Sequence, residues 1–202
     1  MTSSLRVALA DDHAEIRGVL ERMLQYLGHR VICVARTGEE LVEQCLAMRP
    51  DLVITDILMP DMDGLEAARI ILERAPTPVI VLSAYYSREL VQRAAQNEIL
   101  DYLLKPVSSA QLGPAIALAR RRFDEMRALR HEADVLRRSL ADEQAVERAG
   151  QLLMEQLGLD EAKARARLEQ WAIKQDRNLV QAARSFLVTE ELLRPGAHQV
   201  GF

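Results

Sequence analysis

A chain of 202 residues, 49% apolar and 28% charged, has the balance of a globular protein with one large or two modest domains, which excludes a disordered or collagen-like polymer. Its formal net charge of -4 is unevenly placed: the acid excess lies before Ala119, and the part from Arg120 onward is nearly balanced and rich in arginine. Different partners are expected for the two parts. No run of about 20 apolar residues occurs, and the start MTSSLRVALADDH lacks the apolar stretch of a signal peptide; together these predict a cytoplasmic protein with no membrane partner.

From Leu5 to Leu104 short apolar runs alternate with amphipathic segments. The order is RVALA, Ala14 to Leu27, RVICVA, Gly38 to Met48, DLVIT, Leu65 to Arg74, PVIVLS, Ser87 to Asn97 and DYLL. Such alternation predicts an α/β fold with a doubly wound, five-stranded parallel sheet. DLVIT and PVIVLS are almost uniformly apolar, as strands covered by helices on both faces must be. Cys33 and Cys45 fall inside apolar segments without metal-ligand spacing, and are expected as buried free thiols.

The pattern changes at Ser108. Ser108 with Gln111 has the form of a capping box, and between Pro114 and Gly150 there is no Gly or Pro, so one long helix is expected. Met126, Ala133 and Leu140 at a, with Leu129 and Leu136 at d, fit a short coiled coil. In a parallel pair Glu125 and Glu132 at g would face Arg130 and Arg137 at e of the partner, which favours a homodimer over a stripe packed on its own domain. Two further helices follow, Leu159 to Gln175 and Asn178 to Leu193, with Gly158 between them and the long helix and with Pro195 opening a loose tail. The expected division is 1–119 for the α/β domain, 120–145 for a coiled-coil linker helix, 146–194 for a small all-α three-helix domain and 195–202 for a flexible tail.

In an open α/β sheet ligands bind beyond the carboxyl ends of the strands. Asp11 and Asp12 follow the first strand, Asp56 the third, Ser83 the fourth and Lys105 the fifth. Three carboxylates converging there would repel one another by on the order of several kcal/mol unless a cation neutralised them. Hard oxygen donors in this number suit Mg2+. With a metal and Lys105 at hand, a carboxylate can attack phosphorus, and Asp56 is the best placed. The four histidines are scattered, and no P-loop, nucleophile elbow or dinucleotide fingerprint is present, so a metabolic enzyme is not expected.

ADDH at Ala10 to His13, TDILMPDMDG at Thr55 to Gly64, LSA at Leu82 to Ala84 and DYLLKP at Asp101 to Pro106 resemble the receiver domain of two-component response regulators, over roughly the first 120 residues. The resemblance implies phosphorylation of Asp56 by a sensor histidine kinase. It further implies Mg2+ on Asp12, Asp56 and the backbone carbonyl of Leu58, with Asp11 acting through water. Ser83 and Lys105 would hold the phosphoryl oxygens, Tyr102 would act as the switch that turns into space vacated by Ser83, and Lys105-Pro106 would be cis. Leu58 and Tyr85 flank the path of an attacking water and cannot hold one in line, which predicts slow autodephosphorylation.

The segment Glu147 to Leu187 resembles the ANTAR domain, a three-helix RNA-binding module of antitermination regulators. Matching residues include Arg148, Ala149, Leu152, Leu153, Met154, Gly158, Leu159, Ala164, Leu168, Ala172 and Ala183. The family usually has Ala-Lys-Gly where this chain has Ala149, Gly150 and Gln151, so the lysine expected near RNA is missing. Candidate contacts to RNA hairpins are Arg148, Lys163, Arg165, Arg167, Lys174, Arg177 and Arg184. A plain solvated surface balanced by Glu155, Asp160, Glu161 and Glu169 stays open, as does an output of protein interaction. DNA binding is disfavoured, because Asn178 to Leu193 has few basic or amide groups and ends in Glu190 and Glu191.

Overall fold

A computed structural model describes residues 4–84 and 101–193. In chain order the elements are β1 (Arg6–Ala10), α1 (Ala14–Tyr26), β2 (Arg30–Ala35), α2 (Gly38–Met48), β3 (Leu52–Asp56), α3 (Gly64–Arg74), β4 (Val79–Ser83), β5 (Asp101–Leu104), α4 (Ser109–Leu157), α5 (Glu161–Lys174) and α6 (Leu179–Leu193). The expected helix Ser87 to Asn97, Tyr85 and the expected tail 195–202 lie outside the described residues.

All five strands are parallel, in the order β2-β1-β3-β4-β5, the doubly wound arrangement expected from the alternating runs. Alternate residues of each strand enter two cores. Ala8, Ala10, Val53, Val79 and Val81 pack under α2 and α3 with Leu41, Cys45, Leu65 and Ile71. Val7, Leu9, Leu52, Ile54, Ile80 and Leu82 pack under α1 and the start of α4 with Leu20, Leu24, Leu112 and Ile116. Burial on both faces is why β3 and β4 carry no polar residue until their last turn of chain. Both cysteines are free and buried, and burial pushes the Cys45 thiol up to about 12, with Cys33 adding to the effect.

Local signals set the helix starts. Thr37 and Asp63 accept from the N–H groups of Glu40 and Glu66 at 3.2 and 2.7 Å, satisfying donors that the first turn of a helix leaves open. At Ser108 only half of a capping box forms: the Gln111 side chain accepts from the Ser108 N–H at 3.1 Å, and the serine hydroxyl donates to that same oxygen at 3.0 Å.

The chain divides into two compact units, Met1–Ala128 and Leu129–Phe202. α4 runs through the division and past Gly150 without interruption, so the expected linker and the first helix of the small domain are one element of 49 residues. A lone glycine costs a helix only about 1 kcal/mol relative to alanine, too little to end one whose neighbours are anchored on both sides. Gly158, with φ of +62°, ends it. The core of the second unit is built mainly of alanine: Ala149, Leu153, Ala164, Leu168, Ala172, Ala182 and Ala183 are buried, bordered by Trp171 and Phe186, whose rings meet edge to face at 6.5 Å. From Asp124 to Arg148 no residue is buried. Leu129, Leu136 and Leu140 are 67%, 62% and 55% exposed, so this stripe is not packed on its own unit.

Candidate functional site

Strand register assembles the site. Ala10 lies beside Thr55, Asp56 beside Leu82 and Ser83 beside Leu104, so the polar residues that end β1, β3, β4 and β5 line one rim of the sheet. Asp11 is fully buried and Asp56 nearly so. Lys105 reaches both: its Nζ lies 2.6 Å from Asp11 Oδ2 and 2.9 Å from Asp56 Oδ2. The other Asp56 oxygen accepts from the Ile57 N–H at 2.9 Å. Asp11 Oδ1 accepts from the His13 N–H at 2.9 Å, and the Arg17 guanidinium donates to the Asp11 carbonyl at 2.6 Å.

Burial raises the pKa of the Asp56 carboxyl, against the pull of the Lys105 hydrogen bond and charge, and the nearby Asp11 raises it further. Burial by itself would lower the Lys105 ammonium, but its hydrogen bonds and charge interactions with Asp11 and Asp56 outweigh that, and its pKa is raised. One ammonium thus serves two buried carboxylates, and a third, Asp12, stands at the mouth. An added cation would offset the remaining negative charge.

The expected ligand set is only partly gathered. Among the described residues the potential ligands that lie together, within 4.8 Å of one another, are those of Asp11, Asp12 and His13. Asp12 Oδ1 is 2.6 Å from His13 Nδ1, whereas Asp56 is tied to Asp11 through Lys105. The carboxylate oxygens are nonetheless the hard donors a small divalent cation takes, and with few other protein donors they suit an ion that keeps part of its water shell. His13 and Arg17 were not singled out from the sequence. The adjacency of His13 to Asp12 was the available signal.

Ser83 is buried at the end of β4, and its carbonyl accepts from the Lys105 N–H at 2.8 Å. Tyr102 is half-buried against the cluster beneath α2 and α3. The Leu58 side chain, two residues past Asp56, is 56% exposed. The Lys105-Pro106 peptide is cis. Gly64 opens α3 directly against Asp56, where a Cβ would overlap the Asp56 carbonyl.

In the second unit the basic candidates differ in how they are held. Lys163 pairs with Asp160 at 2.7 Å, Arg165 with Glu169 at 3.2 Å and Arg184 with Asp142 at 2.7 Å. Arg177 donates to the Ser185 hydroxyl at 2.6 Å. Arg148, Arg167 and Lys174 are exposed and have no side-chain partner among the described residues. No helix among the described residues is long and apolar enough to cross a membrane.

The sequence matches the response regulator receiver domain over residues 7–117 and the ANTAR domain over residues 134–187. The transcriptional regulatory protein PdtaR of Mycobacterium tuberculosis is 42% identical over 159 residues, covering 79% of this chain and 78% of that protein. A protein-glutamate methylesterase/protein-glutamine glutaminase of Archaeoglobus fulgidus is 38% identical over 105 residues, but that match covers only 30% of its length. Among solved structures, the receiver domain of Thermotoga maritima CheB superposes with a TM-score of 0.52 at 30% identity, over 59% of this chain and 96% of that one. The receiver domain of the putative response regulator NarL from Mycobacterium tuberculosis gives 0.56 at 28% identity, over 59% and 98%. The esterase relative shares only the region of the receiver, and a receiver followed by an ANTAR domain is a regulatory arrangement rather than an enzymatic one. A five-stranded sheet with an acidic rim and a three-helix module at the end of a long helix thus identify this chain as a two-component response regulator with an ANTAR output domain.

Proposed function

We propose that this regulator is phosphorylated on Asp56 by a sensor histidine kinase and that phosphorylation controls RNA binding and transcription antitermination by the ANTAR domain. The observation that carries the reading is the Lys105 ammonium held between the Asp11 and Asp56 carboxylates at 2.6 and 2.9 Å. Such a cation is already placed to neutralise an anion arriving at Asp56. An Asp56 carboxylate oxygen forms a bond to phosphorus as the phosphorus–nitrogen bond of the kinase phosphohistidine breaks, and the imidazole leaves. Asp12, Asp56 and the Leu58 carbonyl, with Asp11 beside them, would hold Mg2+, which would supply charge neutralisation at the phosphoryl oxygens.

Lys105 then pairs with the new dianion and Ser83 donates to it. Tyr102, which lies opposite Val81 in the register of β4 and β5, two residues short of the Ser83 and Leu104 pair, moves with Ser83 and carries the change to the surface. The exposed stripe of α4 pairs with a second copy, with Glu132 facing Arg137 of that copy, and two RNA modules joined in this way gain avidity. The name of PdtaR, a transcriptional regulatory protein, supports an output on gene expression.

Acetyl phosphate with Mg2+ should add one phosphoryl group to the intact chain by mass and none to Asp56→Asn. Absence of labelling by both acetyl phosphate and a cognate kinase would refute the receiver reading. The output is tested separately, by the shift of a two-hairpin RNA that duplex DNA of equal length does not reproduce.

A further inference from the structure

Charge is segregated on the second unit in a way that composition hides. Lys163, Arg167, Gln170 and Lys174 stand at i, i+4, i+7 and i+11 of α5, one row on one face spanning about 16 Å at the rise of an α-helix. All are exposed. The row borders a cleft of about 450 Å³ whose wall also includes Leu157, Leu159 and Ala166. Arg167 and Lys174 have no partner among the described residues, and Lys163 is engaged only in an exposed pair with Asp160, which contributes little and is easily exchanged.

The other side of α5 has the opposite character. A larger groove of about 680 Å³, which includes Gly150, is rimmed by Asp142, Glu143, Glu147 and Glu161. Its basic neighbours are already taken, Arg165 by Glu169 and Arg184 by Asp142. Gly150 stands where the ANTAR resemblance expects a lysine near RNA. In this chain phosphate approaching there would meet carboxylates.

We infer that RNA is gripped along the Lys163–Arg167–Gln170–Lys174 row and its bordering cleft, and not on the face around Gly150. This rests on the RNA-binding reading above and says which face performs it. The cations neutralise phosphates of a hairpin loop. Gln170, set between them, offers an amide that both donates and accepts at a base edge, and Leu157, Leu159 and Ala166 form an apolar wall for an unstacked base. The occupant is RNA because the row is cationic while the groove around Gly150 is acidic and its basic neighbours are paired within the chain.

The test is filter binding of the full-length chain to a two-hairpin RNA pool with randomised loops, at several salt concentrations, with and without acetyl phosphate and Mg2+. Each lost phosphate contact lowers the slope of log K against log salt by about 0.7, so Arg167→Gln with Lys174→Gln should lower it by about 1.4. Arg167→Lys should restore its share. Arg165→Gln with Arg184→Gln should leave the slope unchanged. Wild-type binding with an undiminished slope in the α5 pair, or an equal loss in the Arg165 and Arg184 pair, overturns the placement alone. A wild-type chain that binds no RNA, or binds duplex DNA equally, overturns the RNA reading and this inference with it. Far-UV helicity and melting of each variant guard against misfolding as the cause.

Discussion

Lys105 decides the electrostatics of the receiver site. Removing it would leave Asp11 and Asp56 buried and facing each other, and breaking such a group costs on the order of 3–5 kcal/mol. If Asp56 is phosphorylated as proposed, Leu58 would act differently, through what it cannot do: an apolar side chain beside an acyl phosphate cannot orient water. We expect the phosphorylated chain to decay over minutes or longer, as an order of magnitude, and Leu58→Asn to hasten it several-fold. Decay followed by intact mass tests this, and loss within seconds that Leu58→Asn leaves unchanged would refute it.

His29 supplies a pH dependence. Its Nδ1 accepts from the Leu5 N–H at 3.3 Å, and burial lowers its pKa below the usual 6.5, so the folded chain prefers the neutral ring. The unfolded chain therefore takes up the proton first. The stability due to His29 is complete above about pH 6.5 and is lost as pH falls toward the folded-state value. Thermal melts between about pH 7.5 and pH 5 should show a declining midpoint that His29→Gln makes shallower. An identical decline in the variant would assign the effect to other groups. At this scale the residue types of the rim were legible, since Asp11, Asp12, Asp56, Ser83 and Lys105 all stand at or just past the ends of strands. The sharing of Lys105 between two carboxylates, and the turning of Asp12 to His13, depend on side-chain directions that no spacing encodes.

At the scale of elements, the junction of β3 and α3 and the middle of α4 carry the sharpest expectations. Gly64 N–H donates to the Ile57 carbonyl at 2.9 Å while its Cα faces the Asp56 carbonyl. Gly64→Ala must push α3 from the strand, at a cost of about 1–3 kcal/mol, visible as a lower urea midpoint together with weaker labelling of Asp56. Unchanged stability would mean that the junction yields freely. In α4 the exposed Leu129 and Leu136 lead us to expect the wild-type chain to sediment as a dimer at micromolar concentration, and Leu129→Lys with Leu136→Lys as a monomer. A monomeric wild type, with and without phosphodonor, would refute the pairing. Hydrophobic period made these elements readable, whereas the caps at Thr37 and Asp63 come from the structure. The continuity of α4 through Gly150 was not legible, because a glycine is a weak helix breaker whose effect depends on what anchors the helix to either side.

The two units are packed differently, the first by aliphatic clusters on both faces of a sheet and the second mainly by alanines between helices. They are expected to unfold in separate steps, so that one unfolding energy does not describe the chain. Mg2+ should raise only the transition of the receiver, by about 2.7 kcal/mol at a hundredfold excess over Kd, with Asp12→Asn and Asp56→Asn losing the gain. Calorimetry with and without Mg2+ decides it, and an equal rise of both transitions would refute independent binding. What the sequence by itself determined was the order of strands and helices, the acidic rim and the two families to which the parts belong. Hydrophobic period and the residues that end strands are properties of neighbours along the chain. Only the tertiary structure decided which charges cancel: Arg184 pairs with Asp142 across 42 positions, and Lys105 with Asp11 across 94. Charge pairing depends on distance in space, and folding sets that distance.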